Sequence, residues 1–150
     1  MTPNANTRVA AVIGDPVRHS LSPRLHNAGF AALGLDWCYV AYPVADGQAE
    51  QAIEAMRTLG IEGLSVTMPH KKSVAAAVDD LSATAARLGA VNCVTRAGDR
   101  LIGENTDGKG FVESLQEKVD PTSKTMVMFG AGGAARAIGV ETALAGVRKI

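Results

Sequence analysis

The sequence predicts an α/β fold: a three-layer domain on a mostly parallel sheet, followed by the first strand and helix of a second, nucleotide-binding unit. Three observations predict it. Short apolar runs of strand length alternate with stretches where apolar residues recur every three or four positions. Glycine or proline marks many of the joints between them. A glycine-rich hexapeptide, 130–135, stands between a strand pattern and a helix pattern.

The elements follow in order. Arg8 to Gly14 (RVAAVIG) reads as a buried strand. Ser22 then Pro23 signals a helix start, an N-cap followed by proline, with Leu21, Leu25, Ala28, Ala32 and Leu35 on one apolar face. Trp37 to Val44 is a second strand. Asp46 to Leu59 is a helix with Ala49, Ala52, Ile53, Met56 and Leu59 on one face, closed by Gly60. Ile61 to Met68 is a third strand, which Pro69 breaks to open a helix reaching about Val78. Ser82 to Leu88 is helical and stops at Gly89. Ala90 to Thr95 and Arg100 to Ile102 are strands joined by a turn at Ala97–Gly98–Asp99. Thr106 to about Val119 is a helix. Asp120–Pro121–Thr122–Ser123 is turn-forming and is the expected hinge between two units. Thr125 to Phe129 is a strand, Ala134 to Ala145 a helix, and Val147 to Ile150 the beginning of another strand.

Composition limits the function. The 150 residues are 47% hydrophobic and 20% charged, which suits a packed core. Fifteen Lys and Arg balance fifteen Asp and Glu, so the net charge is zero and a nucleic-acid-binding surface is not expected. Cys38 and Cys93 lie far apart, which excludes a disulfide scaffold and a thiolate zinc site; no metal is expected. The first ten residues lack the pattern of a signal peptide, and no apolar stretch nears the ~20 residues of a membrane span. The expectation is a soluble cytoplasmic protein with neither nucleic acid nor membrane as partner.

Gly130, Ala131, Gly132, Gly133 and Ala134, followed by Ala135, fit G-x-G-x-x-[G/A] directly after a strand pattern and before a helix pattern. The first glycine allows a tight turn, the second lets the backbone approach a pyrophosphate, and the helix N-terminus supplies unpaired N–H groups. This is the opening of a Rossmann-type unit that would bind NADP or NAD. The residue that reads the ribose 2′ position falls about 20 residues beyond the motif, so the two cofactors are not separated. The alternative is close helix–strand packing served by small residues. One strand and one helix do not make a whole doubly wound domain, so the chain is expected to be a piece of a longer protein.

Three polar clusters precede it. Gly14 to Pro23 (GDPVRHSLSP) links a strand to a helix, where α/β proteins place ligands. Ser20 and Ser22 sit at the positive end of that helix and suit a carboxylate; Ser22 alone would also serve as a plain N-cap, whereas Ser20 has no capping role. Arg18 and His19 read as surface residues. In Gly63 to Lys72 (GLSVTMPHKK), Ser65 and Thr67 share one face of a strand, with Val66 opposite. Lys71 falls in the first turn of a helix, where the dipole disfavours the ammonium form and suits the side chain to proton exchange; Lys72 reads as a solvated lysine. The third cluster joins Asn92, which can donate and accept toward hydroxyls, to Asp107 at a helix start. Asp107 is either a cap or a carboxylate that holds the Lys71 amine. Cys93 reads as a small core residue, and Glu104 and Lys109 as surface residues.

These residues resemble the shikimate dehydrogenases, with the related quinate/shikimate dehydrogenases. GDPVRHSLSPRLHN resembles that family's opening serine motif, GLSVTMPHK its N-V-T-x-P-x-K segment, AVNCV its A-V-N-T, GENTDGKGF its G-x-N-T-D-x-x-G-F, and FGAGGAARA its cofactor turn. The resemblance implies a shikimate-binding domain over residues 1–113, then the beginning of an NAD(P)-binding domain over 114–150. It implies Lys71 and Asp107 as the catalytic pair, Ser20 and Ser22 as carboxylate ligands, and Ser65, Thr67 and Asn92 around the ring hydroxyls. The implied reaction is reversible reduction of 3-dehydroshikimate to shikimate, a step toward the aromatic amino acids. Two departures stand out: Ser65 replaces the usual Asn, which leaves quinate or a related cyclic acid open as substrate, and Cys93 replaces Thr. A methylenetetrahydrofolate dehydrogenase fits less well, because of the Ser20/Ser22 pair and the Asn-Thr-Asp segment. A non-catalytic ligand-binding fragment is the alternative outside enzymes.

Overall fold

A computed structural model describes residues 2–150. By internal contacts the chain forms two compact units, the first reaching Glu104 and the second Asn105–Ile150.

The first unit is a sheet with helices on both faces. Its elements are β1 (Arg8–Gly14), α1 (Ser22–Ala32), β2 (Trp37–Pro43), α2 (Ala49–Thr58), β3 (Gly63–Val66), α3 (Lys71–Ala77), β4 (Asp80–Leu81), α4 (Ala83–Leu88), β5 (Cys93–Ala97) and β6 (Arg100–Glu104). The strand order is β2-β1-β3-β5-β6-β4. The β1–β2, β1–β3 and β4–β6 pairs are parallel; β5 runs antiparallel to both its neighbours. Two cores follow from the alternation of side chains along β1. Ala11 and Ile13 face Ile53, Met56, Val74 and Val91 on one side. Ala10 and Val12 face Val17 and Tyr39 on the other, where Phe30 of α1 packs against them. The mostly parallel α/β sheet read from the sequence is therefore present, with the two-residue strand β4 added.

Local chemistry sets the boundaries. Ser82 accepts a hydrogen bond from the Ala85 N–H as N-cap of α4, and Gly89 ends that helix in the left-handed conformation at φ 59°. Gly98, at φ 63°, makes the β5–β6 turn. Arg57 at the end of α2 pairs with Asp79 at 2.9 Å, and Asp79 accepts the Leu101 N–H at 2.7 Å, so one carboxylate joins a helix to β6.

Helix α1 departs from the sequence reading. Leu21, Leu25, Ala28, Ala32 and Leu35 were expected to face the core, yet all are exposed, Leu25 at 72%. The face turned to the sheet carries His26, Asn27 and Phe30. His26 stacks on Tyr39 with ring centroids 4.1 Å apart, and Phe30 meets Trp37 at 5.5 Å. The Asn27 amide bonds both main-chain groups of Tyr39, at 2.8 and 2.9 Å. Aromatic area and two satisfied backbone groups decide the orientation over aliphatic periodicity. Leu59 is exposed too, because it is the residue on which α2 ends.

The second unit holds α5 (Asp107–Gln116) and α6 (Gly133–Leu144). They pack where a Cβ on Gly108 would overlap the Ala137 carbonyl. Asp120–Ser123 lies inside this unit, and the Asp120 carboxylate accepts the Thr122 N–H at 2.9 Å. The strand expected over 125–129 does not form. Thr125 and Lys149 make one isolated parallel bridge. Beyond Met126 no ladder partner exists among the described residues, and Val127 and Phe129 are 75% and 97% exposed. A strand exists only where a neighbour takes its backbone groups. The strand start expected at 147–150 is reduced to the same bridge. Among the described residues, no helix is long and apolar enough to cross a membrane.

Candidate functional site

In an open α/β sheet, ligands collect beyond the carboxyl ends of the parallel strands. In the first unit that edge is assembled by main-chain bonds among the loops. The Asp15 N–H donates to the Met68 carbonyl (3.0 Å), the Val44 N–H to Gly14 (3.2 Å) and the Thr67 N–H to Ile13 (3.0 Å), which ties together the chain following β1, β2 and β3. A Cβ on Gly14 would overlap the Thr67 methyl, so glycine is needed where these loops cross. His70, buried, closes the arrangement: its Nε2 lies 2.8 Å from the Val44 carbonyl oxygen.

Lys71 is the first residue of α3, half-buried, and its carbonyl accepts the Val91 N–H at 2.8 Å. Asn92 sits just before β5; its carbonyl accepts the Val66 N–H at 2.8 Å and its N–H donates to Glu104 at 2.9 Å. Thr67, Lys71 and Asn92 are thus held at one edge by adjoining backbone bonds. Ser65 and Thr67 face the α1 side of the sheet, Val66 the opposite core, as the strand period requires. Helix α1 begins over that same side with Ser22.

The serines differ from expectation in one respect. Leu21, not Ser22, is the N-cap residue of α1, and no side chain caps that helix. Ser20 has a local role after all: its Oγ accepts the Ser22 N–H at 3.2 Å. Arg18, His19 and Lys72 are exposed, as read from the sequence. Cys93 is half-buried, and burial first, then the nearby Glu104 carboxylate, push its thiol up from its ordinary value.

In the second unit, Asp107 is the first residue of α5, and its N–H donates to the Asn105 side-chain oxygen at 3.2 Å. Asn105, buried and not singled out in the sequence, serves this helix start together with the Asp107 carboxylate in its first turn. In the glycine turn, Gly130 has φ 109°, which a side chain rarely adopts, and Gly132 is the N-cap of α6. Ala131 to Ala134 are exposed, and a Cβ on Gly132 or Gly133 would meet open space.

Sequence reasoning missed Tyr39. Its hydroxyl donates to Ser65 Oγ at 2.7 Å. Burial raises its phenol above the usual value, against the opposing effect of that hydrogen bond. The signal for it lay in the His26–Asn27 pair that ends the serine motif, two polar residues with no assigned role.

Residues 12–94, more than half the chain, match the family model described as the shikimate dehydrogenase substrate binding domain. The chain is 47% identical over 144 residues to the shikimate dehydrogenase (NADP(+)) of Symbiobacterium thermophilum, covering 95% of this chain and 49% of that protein. It resembles the crystal structure of Listeria monocytogenes shikimate 5-dehydrogenase in complex with shikimate and NAD, with a TM-score of 0.93 at 40% identity over 98% of this chain and 51% of that one. It also resembles the 5-ketofructose reductase of Gluconobacter sp. strain CHM43, with a TM-score of 0.90 at 37% identity over 96% and 52%. The chain spans about half the length of the curated relatives it matches. On its serine, lysine and asparagine motifs, its sheet and these matches, the chain belongs to the shikimate dehydrogenase family.

Proposed function

We propose that this chain is the substrate-binding part, and the opening of the cofactor-binding part, of a dehydrogenase that reversibly reduces 3-dehydroshikimate to shikimate with NADP. The observation that carries this reading is the convergence of Thr67, Lys71 and Asn92 at one sheet edge, on the loops that also tie down the serine segment after β1. Ser20 and Ser22 bind the substrate carboxylate. Ser65, Thr67 and Asn92 bind its ring oxygens. Lys71 passes a proton to the carbonyl oxygen on reduction and takes it back on oxidation, and Asp107 is assigned as the second member of the catalytic pair. The turn from Gly130 to Ala134 fits a dinucleotide: Gly130 has positive φ, the space above Gly132 and Gly133 is open, and α6 begins there with unpaired N–H groups. When bound, the nicotinamide supplies the hydride. We assign the substrate domain to the residues up to about 113 and the start of the cofactor domain to 114–150, a boundary that falls inside α5, whereas the compact units divide earlier, after Glu104. The protein is read as cytoplasmic and as acting on a small molecule, with neither nucleic acid nor membrane as partner and a homodimer as its assembly; the zero net charge supports the lack of a polyanion partner.

The test is turnover of shikimate with NADP by the intact protein containing this chain, beside its Lys71→Ala variant. The variant is expected to bind shikimate within a few-fold of the parent and to lose at least ~10²-fold in turnover. Unchanged turnover removes Lys71 from its role. A second reading, a quinate or other polyol substrate, is favoured by Ser65 in place of the usual Asn. Relative rates with shikimate and quinate decide between them.

A further inference from the structure

We propose that Tyr39 is a positioning residue that fixes Ser65 as a hydrogen-bond donor, so that this place in the site takes an acceptor oxygen of the substrate. The inference deepens the functional reading above and rests on it.

The ring of Tyr39 is held from two sides. It is 4% exposed, stacked on His26 at an interplanar angle of 8°, and its main chain is fixed at both polar groups by the Asn27 amide. His26 is itself anchored, with Nδ1 2.8 Å from the Ser22 carbonyl oxygen. A ring so placed brings its hydroxyl to one point, 2.7 Å from Ser65 Oγ, across β1 from its own strand.

The direction of that bond follows from acidity. A phenol is a far stronger acid than an alcohol and is the better donor when the two meet. A phenol is protonated at neutral pH in any case, and burial pushes Tyr39 further that way. With one Ser65 lone pair occupied by Tyr39, the serine proton points elsewhere, and Ser65 is only half-buried. A serine hydroxyl has one donor and two acceptor sites; Tyr39 fills one acceptor site, and the serine's single O–H is left to a ligand beside the second lone pair. An asparagine side chain at this place would instead offer two donors and an acceptor. The chemical class selected here is therefore an oxygen that accepts: a carbonyl, a carboxylate, or a hydroxyl through its lone pair.

The experiment compares the intact protein with Tyr39→Phe, Ser65→Ala and the double variant, reading kcat and KM for shikimate, KM for NADP, and Tm. Tyr39→Phe keeps the stacked ring and removes only the hydroxyl. It is expected to raise KM for shikimate about three- to ten-fold, the range for one neutral hydrogen bond, with kcat within about two-fold and KM for NADP unchanged. Ser65→Ala is expected to raise KM at least as much, and adding Tyr39→Phe to it is expected to change nothing further. Equal effects of Tyr39→Phe with and without Ser65, or an unchanged KM for shikimate in Tyr39→Phe, overturn the inference. Should Tyr39→Phe fail to fold, Ser65→Ala decides, and an unchanged KM there overturns it. A parent protein that does not turn shikimate over overturns the functional reading and this inference together, whereas additive variants of an active parent overturn this inference alone.

Discussion

At Gly108 two effects oppose each other. Glycine in a helix interior costs about 1 kcal/mol relative to alanine, so Gly108→Ala, in the first turn of α5, should stabilise that helix by no more than that amount in isolation. The added Cβ would overlap the carbonyl of Ala137, which is backbone and does not yield as a flexible side chain would. Overpacking of that kind costs about 1–3 kcal/mol. The expected result is a net loss of stability in Gly108→Ala, seen as a lower Tm, with no change in Gly110→Ala beyond helix propensity, because nothing lies near Gly110. Cys93 offers a second check at this scale. Its raised thiol leaves less thiolate near neutrality. In a Cys38→Ser background, iodoacetamide at pH 8 should alkylate Cys93 more slowly than a free cysteine, and the rate should still be climbing where the free thiol has levelled off. What the sequence conveyed about single residues was their type and spacing. It placed Lys71 at a helix start and Ser65 beside Thr67 on one face. It did not convey Tyr39 or Asn105, whose roles depend on partners 26 and two residues away that only the folded chain or the cap geometry defines.

Among the elements, α2 and β6 meet through one carboxylate. Arg57 beside Asp79, and the Leu101 N–H bonded to it, hold that carboxyl below its ordinary value. A group depressed in the fold contributes stability that is fully present above its unfolded pKa and is lost as pH falls through the folded one. The contribution of Asp79 should therefore be complete above about pH 5 and fade below about pH 4. Asp79→Asn should lower Tm at pH 7, and the difference from the parent should shrink steadily in acid. Ser82→Ala, which removes the cap of α4, should cost about 1 kcal/mol with no such pH dependence. Elements with a local signal were legible: the glycine stop at Gly89, the turn at Gly98, and the apolar run of β1. Helix α1 was legible in extent but not in orientation, because its leucines carry the stronger periodic signal while His26, Asn27 and Phe30 carry the partners. The strand expected at 125–129 was a correct reading of propensity without a ladder to realise it.

Taken as a whole, the chain divides its order unevenly. β1 has a hydrogen-bonded neighbour on each side and a buried core on each face. Residues 125–132 have one bridge and mostly exposed side chains. Local opening follows such differences. Native-state hydrogen exchange should find the amides of Ala10 to Ile13 the slowest of the first unit; free-chain rates there would contradict this picture of its core. The alternation of strands and helices predicted the layered sheet as a class, and the short turn at Gly98 requires β5 and β6 to run antiparallel, while the antiparallel pairing of β5 with β3 was invisible, since periodicity reports burial and not direction.

The Asn27 amide has a consequence for solubility. β2 is one of the two outer strands of the sheet, and a bare outer strand is a template on which other chains can stack into fibres. At Tyr39 that rung is already taken, since one carboxamide grips both backbone groups that an incoming chain would need. A side chain here does the work of a missing seventh strand for one residue's length, which keeps the rim of the sheet from recruiting its own kind.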